Sequence, residues 1–463
     1  MTIIQFIILE KAYALLESIN LCNNCLGRQF ASLLTGLTNA ERGKSIKTVL
    51  ALEYAQTFIS SSESLSFMQK IADSGLLSAS KTLKKYDPQL NNQNLTCILC
   101  EDIFSNENLE RICEQSLDKV KNIEFSTFLV GSVIPARIID KEDEIRSKFG
   151  LEFGENIKSE LNREIGKKLL PLFNEEKLVN LKNPDIVFLV DCSSNSVSLQ
   201  INPLFIYGRY KKLVRDIPQA KWHCKECFGK GCEKCNQTGK LYPISVEELI
   251  VNPLLPMVNS TEGKFHGSGR EDIDARMLGS GRPFVVELKN AHKRHFDLKK
   301  AEDTINKLAQ GKITVSLTEF SSRDRIREIK TQSTSMSKSY ILTVSLNKDL
   351  KLSDEDLHKT ETFFEGTIIA QRTPHRVSHR RANRVRYRKV YSLRLEPITP
   401  QEIRVHIVCE GGLYVKELAT GDDGRTTPNL ASVLSEIYQQ SVELSIVSLD
   451  VVGVHTSLDG EST

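Results

Sequence analysis

The chain has 463 residues and a formal net charge of only +3, so it is no polycation, and any nucleic-acid surface has to come from local clustering. Hydrophobic content of 40% and charged content of 26% suit a globular chain, and the length predicts roughly two to four domains. No apolar run approaches a membrane span, so a bilayer-spanning helix is excluded as an expectation.

Eight of the 11 cysteines fall in Cys-x-x-Cys pairs, and Cys113, Cys192 and Cys409 stand singly. Residues 1–9 are apolar but short. They carry neither a basic leader nor a small-residue cleavage site and read as a core helix or strand. Paired cysteines without a secretory signal point to metal rather than disulfides, and to a reducing cytoplasm.

In chain order, Leu9, Ala12, Leu15, Leu16 and Ile19 recur at helical spacing. Cys22 and Cys25 follow, and Cys97 and Cys100 come some seventy residues later. Two such pairs can close one tetrahedral zinc site whatever the chain between them; buried free thiols are the alternative. Residues 125–139 read as one or two strands interrupted by Pro135, and residues 157–173 as an amphipathic helix. Residues 185–191 and 196–201 read as a hairpin. This is a small α+β region.

Residues 207–219 interleave Tyr207 and Tyr210 with four basic residues, which suits either stacking with phosphate contact or a solvated linker helix. Cys224, Cys227, Cys232 and Cys235 then fall within a dozen residues, with Gly229 and Gly231 at the bend. That spacing predicts a four-cysteine zinc knuckle with no open coordination position, hence structural; a redox Cys-x-x-Cys is the alternative.

Residues 267–279 set Asp272 and Asp274 between Arg270 and Arg276, with glycines at both ends, and a buried-strand run follows at 284–288. A carboxylate on such a bend suits a site, and a solvated charged turn has the same composition. A helix is expected at 298–308, with strands at 314–320 and 340–346. Residues 372–391 hold no acid and carry Arg376, Arg380 and Arg381 among interleaved His and Tyr. That pattern suits RNA contact, against a localisation patch or a solvated helix face. Finally, 405–418 reads as a strand, a Gly-Gly bend and a helix that presents Tyr414 and Lys416.

From Gly269, the run Gly-Arg-Glu-Asp-Ile-Asp-Ala-Arg-Met-Leu-Gly resembles the catalytic loop of the archaeal tRNA pseudouridine synthase family that modifies uridines 54 and 55 of the TΨC arm. Gly208-Arg209-Tyr210, the knuckle, residues 371–381 and residues 412–418 look like further blocks of that family, in the same order. The N-terminal part is similar to its THUMP-containing region. The resemblance implies a mixed α/β (α+β) multidomain chain, with a zinc-binding THUMP-like RNA-binding region and a C-terminal mixed-sheet pseudouridine synthase domain. Expected boundaries are a helical zinc-knuckle segment at 1–55, the THUMP-like domain at 56–205, a basic linker with the four-cysteine knuckle at 206–244, and the catalytic domain at 245–463.

By the same resemblance Asp272 would be the nucleophile, Tyr340 would stack on the target base and Tyr414 would contact substrate. Lys416, with Arg270, would counter the charge of Asp272, and Arg376, Arg380 and Arg381 would grip the RNA. Asp274 is expected to brace the loop, against Arg276 or backbone N–H groups. The implied enzyme is an isomerase acting on tRNA, needing no organic cofactor and expected as a monomer. A non-catalytic zinc-ribbon RNA-binding adaptor, or another THUMP-type modification enzyme, is the alternative. The Ser-Gly-Gly-x-Asp-Ser loop of a thiolase is absent, and Gly267-Ser268-Gly269 alone is too weak for a methyltransferase.

Overall fold

Helical spacing near the N-terminus becomes helices Ile7–Ser18, Asn23–Arg28 and Asn39–Tyr54, the last opened by a capping box between Thr38 and Glu41. The structure, a computed structural model, describes residues 7–90, 93, 95–173, 177–335, 337–350, 352–379 and 381–455. The chain divides into two compact units, Met1–Asn202 and Pro203–Thr463.

In the first unit, β1 (Thr127–Val133), β2 (Leu178–Val179), β3 (Ile186–Asp191) and β4 (Ser196–Ile201) form a sheet in the order β2-β1-β3-β4. β1 runs parallel to β2 and β3, and β3–β4 is the antiparallel hairpin expected from its alternation. Helix Ile157–Leu169 packs on β1. Pro135 does not interrupt a strand. It stands just ahead of helix Ala136–Phe149, where its fixed φ and missing N–H suit a helix start. One apolar cluster runs from Ala12 to Val197, so residues 1–55 and the α+β region share a core.

The second unit holds β5 (Leu204–Lys212), β6 (Glu262–Gly267), β7 (Ala275–Lys289), β8 (Ile313–Ser321), β9 (Ser337–Leu346), β10 (Ile368–Arg372), β11 (Val385–Thr399), β12 (Glu402–Glu410), β13 (Thr426–Thr427) and β14 (Leu444–His455). They form one mixed sheet in the order β13-β10-β11-β12-β9-β14-β7-β5-β8, with β6 paired to β7. β14 lies parallel to β7 and antiparallel to β9. The amphipathic helix Leu298–Ala309 is capped by Asp297 and packs on β8. Among the described residues no helix is long and apolar enough to cross a membrane.

The basic-aromatic stretch that begins at Tyr207 is not a linker helix. It forms most of β5, between β7 and β8, and both Tyr210 and Lys212 are fully buried. Composition misleads here because both side chains find polar partners inside the fold.

Candidate active site

Residues 268–274 connect β6 to β7 and hang over the end of β5. Their backbone is pinned from below. Lys212 Nζ donates to the carbonyls of Ile217, Asp272 and Ile273 at 2.9, 3.1 and 3.0 Å. Arg215 Nη1 donates to the Asp274 carbonyl at 2.9 Å. Burial pulls the Lys212 amine below the usual lysine range even though Glu271 and Asp274 oppose the shift. Gly269 takes φ +78°, open to glycine at little steric penalty, and its carbonyl accepts from Gln219 Nε2 at 3.0 Å.

Beneath the loop, Glu271 is buried and accepts from Tyr210 Oη at 2.9 Å and Arg282 Nε at 2.8 Å. Arg282 Nη1 also donates to the Ser268 carbonyl at 2.8 Å. Breaking a buried pair by removing one partner typically costs about 3–5 kcal/mol, because the other charge is stranded. Glu271→Ala is therefore expected to lower the melting temperature of this unit by on the order of 10 °C and to slow turnover as the loop loosens. A variant that melts and turns over like the parent would refute that role; thermal melts beside single-turnover assays decide it.

This scaffold turns the Asp272 carboxylate, 31% exposed, into a cavity of about 700 Å³. Arg376, on the turn after β10, donates from Nη1 to Asp272 Oδ2 at 2.9 Å and from Nε to Glu417 Oε1 at 2.5 Å. Glu417 is buried on helix Val415–Thr420 and fixes the guanidinium from behind. Lys416 Nζ is 2.6 Å from Asp274 Oδ2 and 3.7 Å from Asp272 Oδ2. Burial would raise the Asp274 carboxyl, but the hydrogen bond and charge of Lys416 outweigh it and hold it below the usual aspartate range. The Tyr414 ring lies 5.9 Å from the Arg376 guanidinium. Its backbone is clamped by Gln371, which donates to the Tyr414 carbonyl at 2.9 Å and accepts from its N–H at 2.8 Å.

Tyr340 and Lys338 reach the cavity from β9. Burial pushes the Tyr340 phenol well above its usual range, and burial together with Arg282 pulls the Lys338 amine down to about 8. Arg381, Arg386 and Arg388 add positive charge to the rim. The cavity thus combines the Asp272 and Asp274 carboxylates with the Arg376 and Lys416 cations, tyrosine rings and an arginine fringe. That set can hold a flat base, grip a phosphate backbone and offer a charged oxygen nucleophile.

Among the described residues, two clusters could hold a metal ion. The sulfurs of Cys22, Cys25, Cys97 and Cys100 lie within 4.8 Å of one another, as do those of Cys224, Cys227, Cys232 and Cys235. Separations of 3.6–3.8 Å match the roughly 3.8 Å edges of a tetrahedron built on zinc–sulfur bonds of about 2.3 Å. N–H groups of Gly231, Cys232 and Gly239 point at knuckle sulfurs, and the buried Arg28 donates to Cys25 Sγ at 3.6 Å; both favour thiolates. Gly229 and Gly231 take φ of +96° and +97° at the bend.

Comparison with known families settles the lineage. The family model described as "Pus10, C-terminal" matches residues 205–455, more than half of the chain, and "Pus10 THUMP domain, archaeal" matches residues 112–191. The chain belongs to the Pus10 family. A tRNA pseudouridine synthase Pus10 of Methanocaldococcus jannaschii is 40% identical over 96% of this chain and 94% of its own. Those of Methanothrix thermoacetophila (38%; 96% and 94%) and Thermofilum pendens (36%; 94% and 94%) are similar throughout. Among solved structures, a Cbf5–Nop10–Gar1 complex matches 44% of each chain at 17% identity and a TM-score of 0.27, a likeness that carries no argument.

Of the residues singled out in the sequence, Asp272, Arg270, Tyr340, Arg376, Arg381, Tyr414 and Lys416 line this one cavity, whereas Arg380 lies outside the described residues. Two pairings differ from expectation. Arg376, not Lys416, makes the short contact to Asp272. Asp274 is braced by Lys416, while Arg276 pairs with Asp450 at 2.6 Å. The Arg270 guanidinium lies 5.0 Å from the centroid of the Trp222 ring. Trp222, Lys338, Glu417 and the buried set under the loop were missed. Arg386 and Arg388 could have been found from their shared parity in β11, but nothing in the spacing announces Trp222.

Proposed function

We infer that the chain is a tRNA pseudouridine synthase, an isomerase that converts uridine to pseudouridine at positions 54 and/or 55 of the TΨC loop. The observation that carries the reading is the Asp272 carboxylate, beside Arg376 in a cavity walled by Tyr340 and Tyr414. Isomerisation breaks the N1–C1′ bond, turns the uracil, forms a C5–C1′ bond and releases the C5 proton. Asp272 is the nucleophile, adding to C1′ of the sugar or C6 of the base. Arg376 and Lys416 hold it in place, and they share its charge as it is transferred. Tyr340 stacks on the uracil so that the detached base is held while it turns.

The target uridine must leave the tRNA elbow to reach Asp272, which requires a grip on the flanking backbone. Arg381, Arg386 and Arg388 supply it at the rim, with Arg270, Tyr414 and Arg380 as further contacts to the T arm. In this reading both four-cysteine clusters hold structural zinc, and no organic cofactor takes part. The protein works as a monomer in the cytoplasm.

Transcripts that carry cytidine in place of uridine at 54, at 55 or at both test the site assignment. Pseudouridine is expected at 54, at 55 or at both wherever uridine is kept there, read by mass spectrometry of the digested RNA. Product elsewhere in the tRNA, with none in the T loop, would overturn the assignment.

A further inference from the structure

The chemistry above gives the four-cysteine knuckle no part, yet the residue two positions before Cys224 reaches the site. Trp222 is the chain's one tryptophan, and it lines the same cavity as Asp272 and Tyr340. Its ring is only partly buried, with the Arg270 guanidinium 5.0 Å from the centroid and the Tyr242 ring edge-on at 5.7 Å. Arg270 precedes Asp272 by two residues, a reach of at most about 7 Å along the chain.

The knuckle holds the indole in place. Leu241 N–H donates to the Trp222 carbonyl at 2.9 Å, and His223 bridges Lys240 in antiparallel register. Lys221 N–H donates to Glu247 Oε2 at 3.0 Å. These contacts tie together the two ends of the loop that carries the knuckle cysteines. A large aromatic plane is thus fixed at the wall of a cavity whose other walls are arginine, tyrosine and carboxylate.

We propose that Trp222 is a stacking platform for a nucleotide flanking the target uridine, aligned by the metal-held knuckle. This rests on reading the cavity as the RNA site. When the uridine is extruded, each neighbour loses a stacking partner, and an indole face at the cavity wall replaces one of them. The knuckle then bears on turnover through RNA alignment rather than through its metal.

The test uses the full zinc-loaded chain with Trp222→Phe and Trp222→Ala. Its substrates are T-arm transcripts that are intact or abasic at one neighbour of the target at a time. Trp222→Ala is expected to lower kcat/KM by roughly 5- to 100-fold and Trp222→Phe by only a few-fold. An abasic site at one particular neighbour lowers the parent by a similar factor and adds little to the loss in Trp222→Ala, the mark of two groups that touch. Saturating intact transcript quenches the parent's tryptophan fluorescence, and that abasic transcript quenches it less.

Full kcat/KM in Trp222→Ala overturns the proposal. So does an unchanged parent fluorescence at saturation, or penalties that multiply independently at every abasic site. Should Trp222→Ala lose metal, the parent's fluorescence quench with intact and abasic transcripts decides the proposal. A parent that makes no pseudouridine in the T arm would instead refute the reading of the site.

Discussion

Replacing Asp272 by Asn leaves RNA affinity within a few-fold and removes turnover, with a loss on the order of 10⁴-fold or more. The side chains have the same shape, so the cavity keeps its walls. Arg376 loses one anionic partner but retains buried Glu417, which keeps the guanidinium in place. What disappears is the charged oxygen, and of the other carboxylates lining the cavity Asp274 is held by Lys416 and the Glu271 side chain is buried against Tyr210 and Arg282. Release of tritium from C5 of labelled uridine reads turnover, and filter binding reads affinity. Conversion at more than a small fraction of the parent rate in Asp272→Asn, or in Asp272→Ala, would end the case for Asp272 as nucleophile. Normal binding with no turnover would end the case for a non-catalytic adaptor.

A comparably large effect is expected from Cys224→Ser combined with Cys227→Ser. The knuckle has little apolar core of its own, and its turns are glycines at positive φ and N–H groups aimed at sulfur. Structural zinc contributes apparent free energies of roughly 10–16 kcal/mol in small zinc-finger peptides, so a loop of this kind is folded only while metal is bound. The double variant should lose one metal ion per chain, retain the ion held by Cys22, Cys25, Cys97 and Cys100, and become prone to aggregation. Metal analysis of the purified variant decides it. Unchanged stoichiometry would remove the metal assignment of the knuckle, and loss of both ions would mean that the two clusters are not independent.

The parts of the chain legible in sequence are those whose partners are close in sequence or whose pattern is periodic. The hairpin β3–β4, the helix Leu298–Ala309 and the bend before helix Val415–Thr420 follow from alternation, helical spacing and Gly-Gly. Position in the sheet was not legible. β5 looked like a polar surface because its buried tyrosine and lysine have partners tens of residues away, in Glu271 and the carbonyls of Asp272 and Ile273. At the site, residue types announced a carboxylate, basic residues and tyrosines, but their pairing depended on distance in space. Arg376 meets Asp272 across 104 positions, while Lys416, expected there, is drawn to Asp274. Asp274 is the more exposed of the two acids, so it can meet the amine without the carboxylate of Asp272 being displaced.

The place of β14 in the sheet has a consequence for assembly. Among the described strands it alone joins β9 to β7 in the sheet, and the two halves it joins divide the site between them. Asp272 travels with β6 and β7, whereas Tyr340, Arg376 and Lys416 travel with β9 to β12 and the helix beyond. β14 also brings Asp450, which binds Arg215 and Arg276 at the foot of the acidic loop. Neither half has a site, and each presents an open strand edge until the strand latest in chain order docks between them. An intact site therefore requires β14 in place between the two halves. A chain interrupted before Leu444 would be an aggregation-prone pair of half-sheets rather than a weak enzyme.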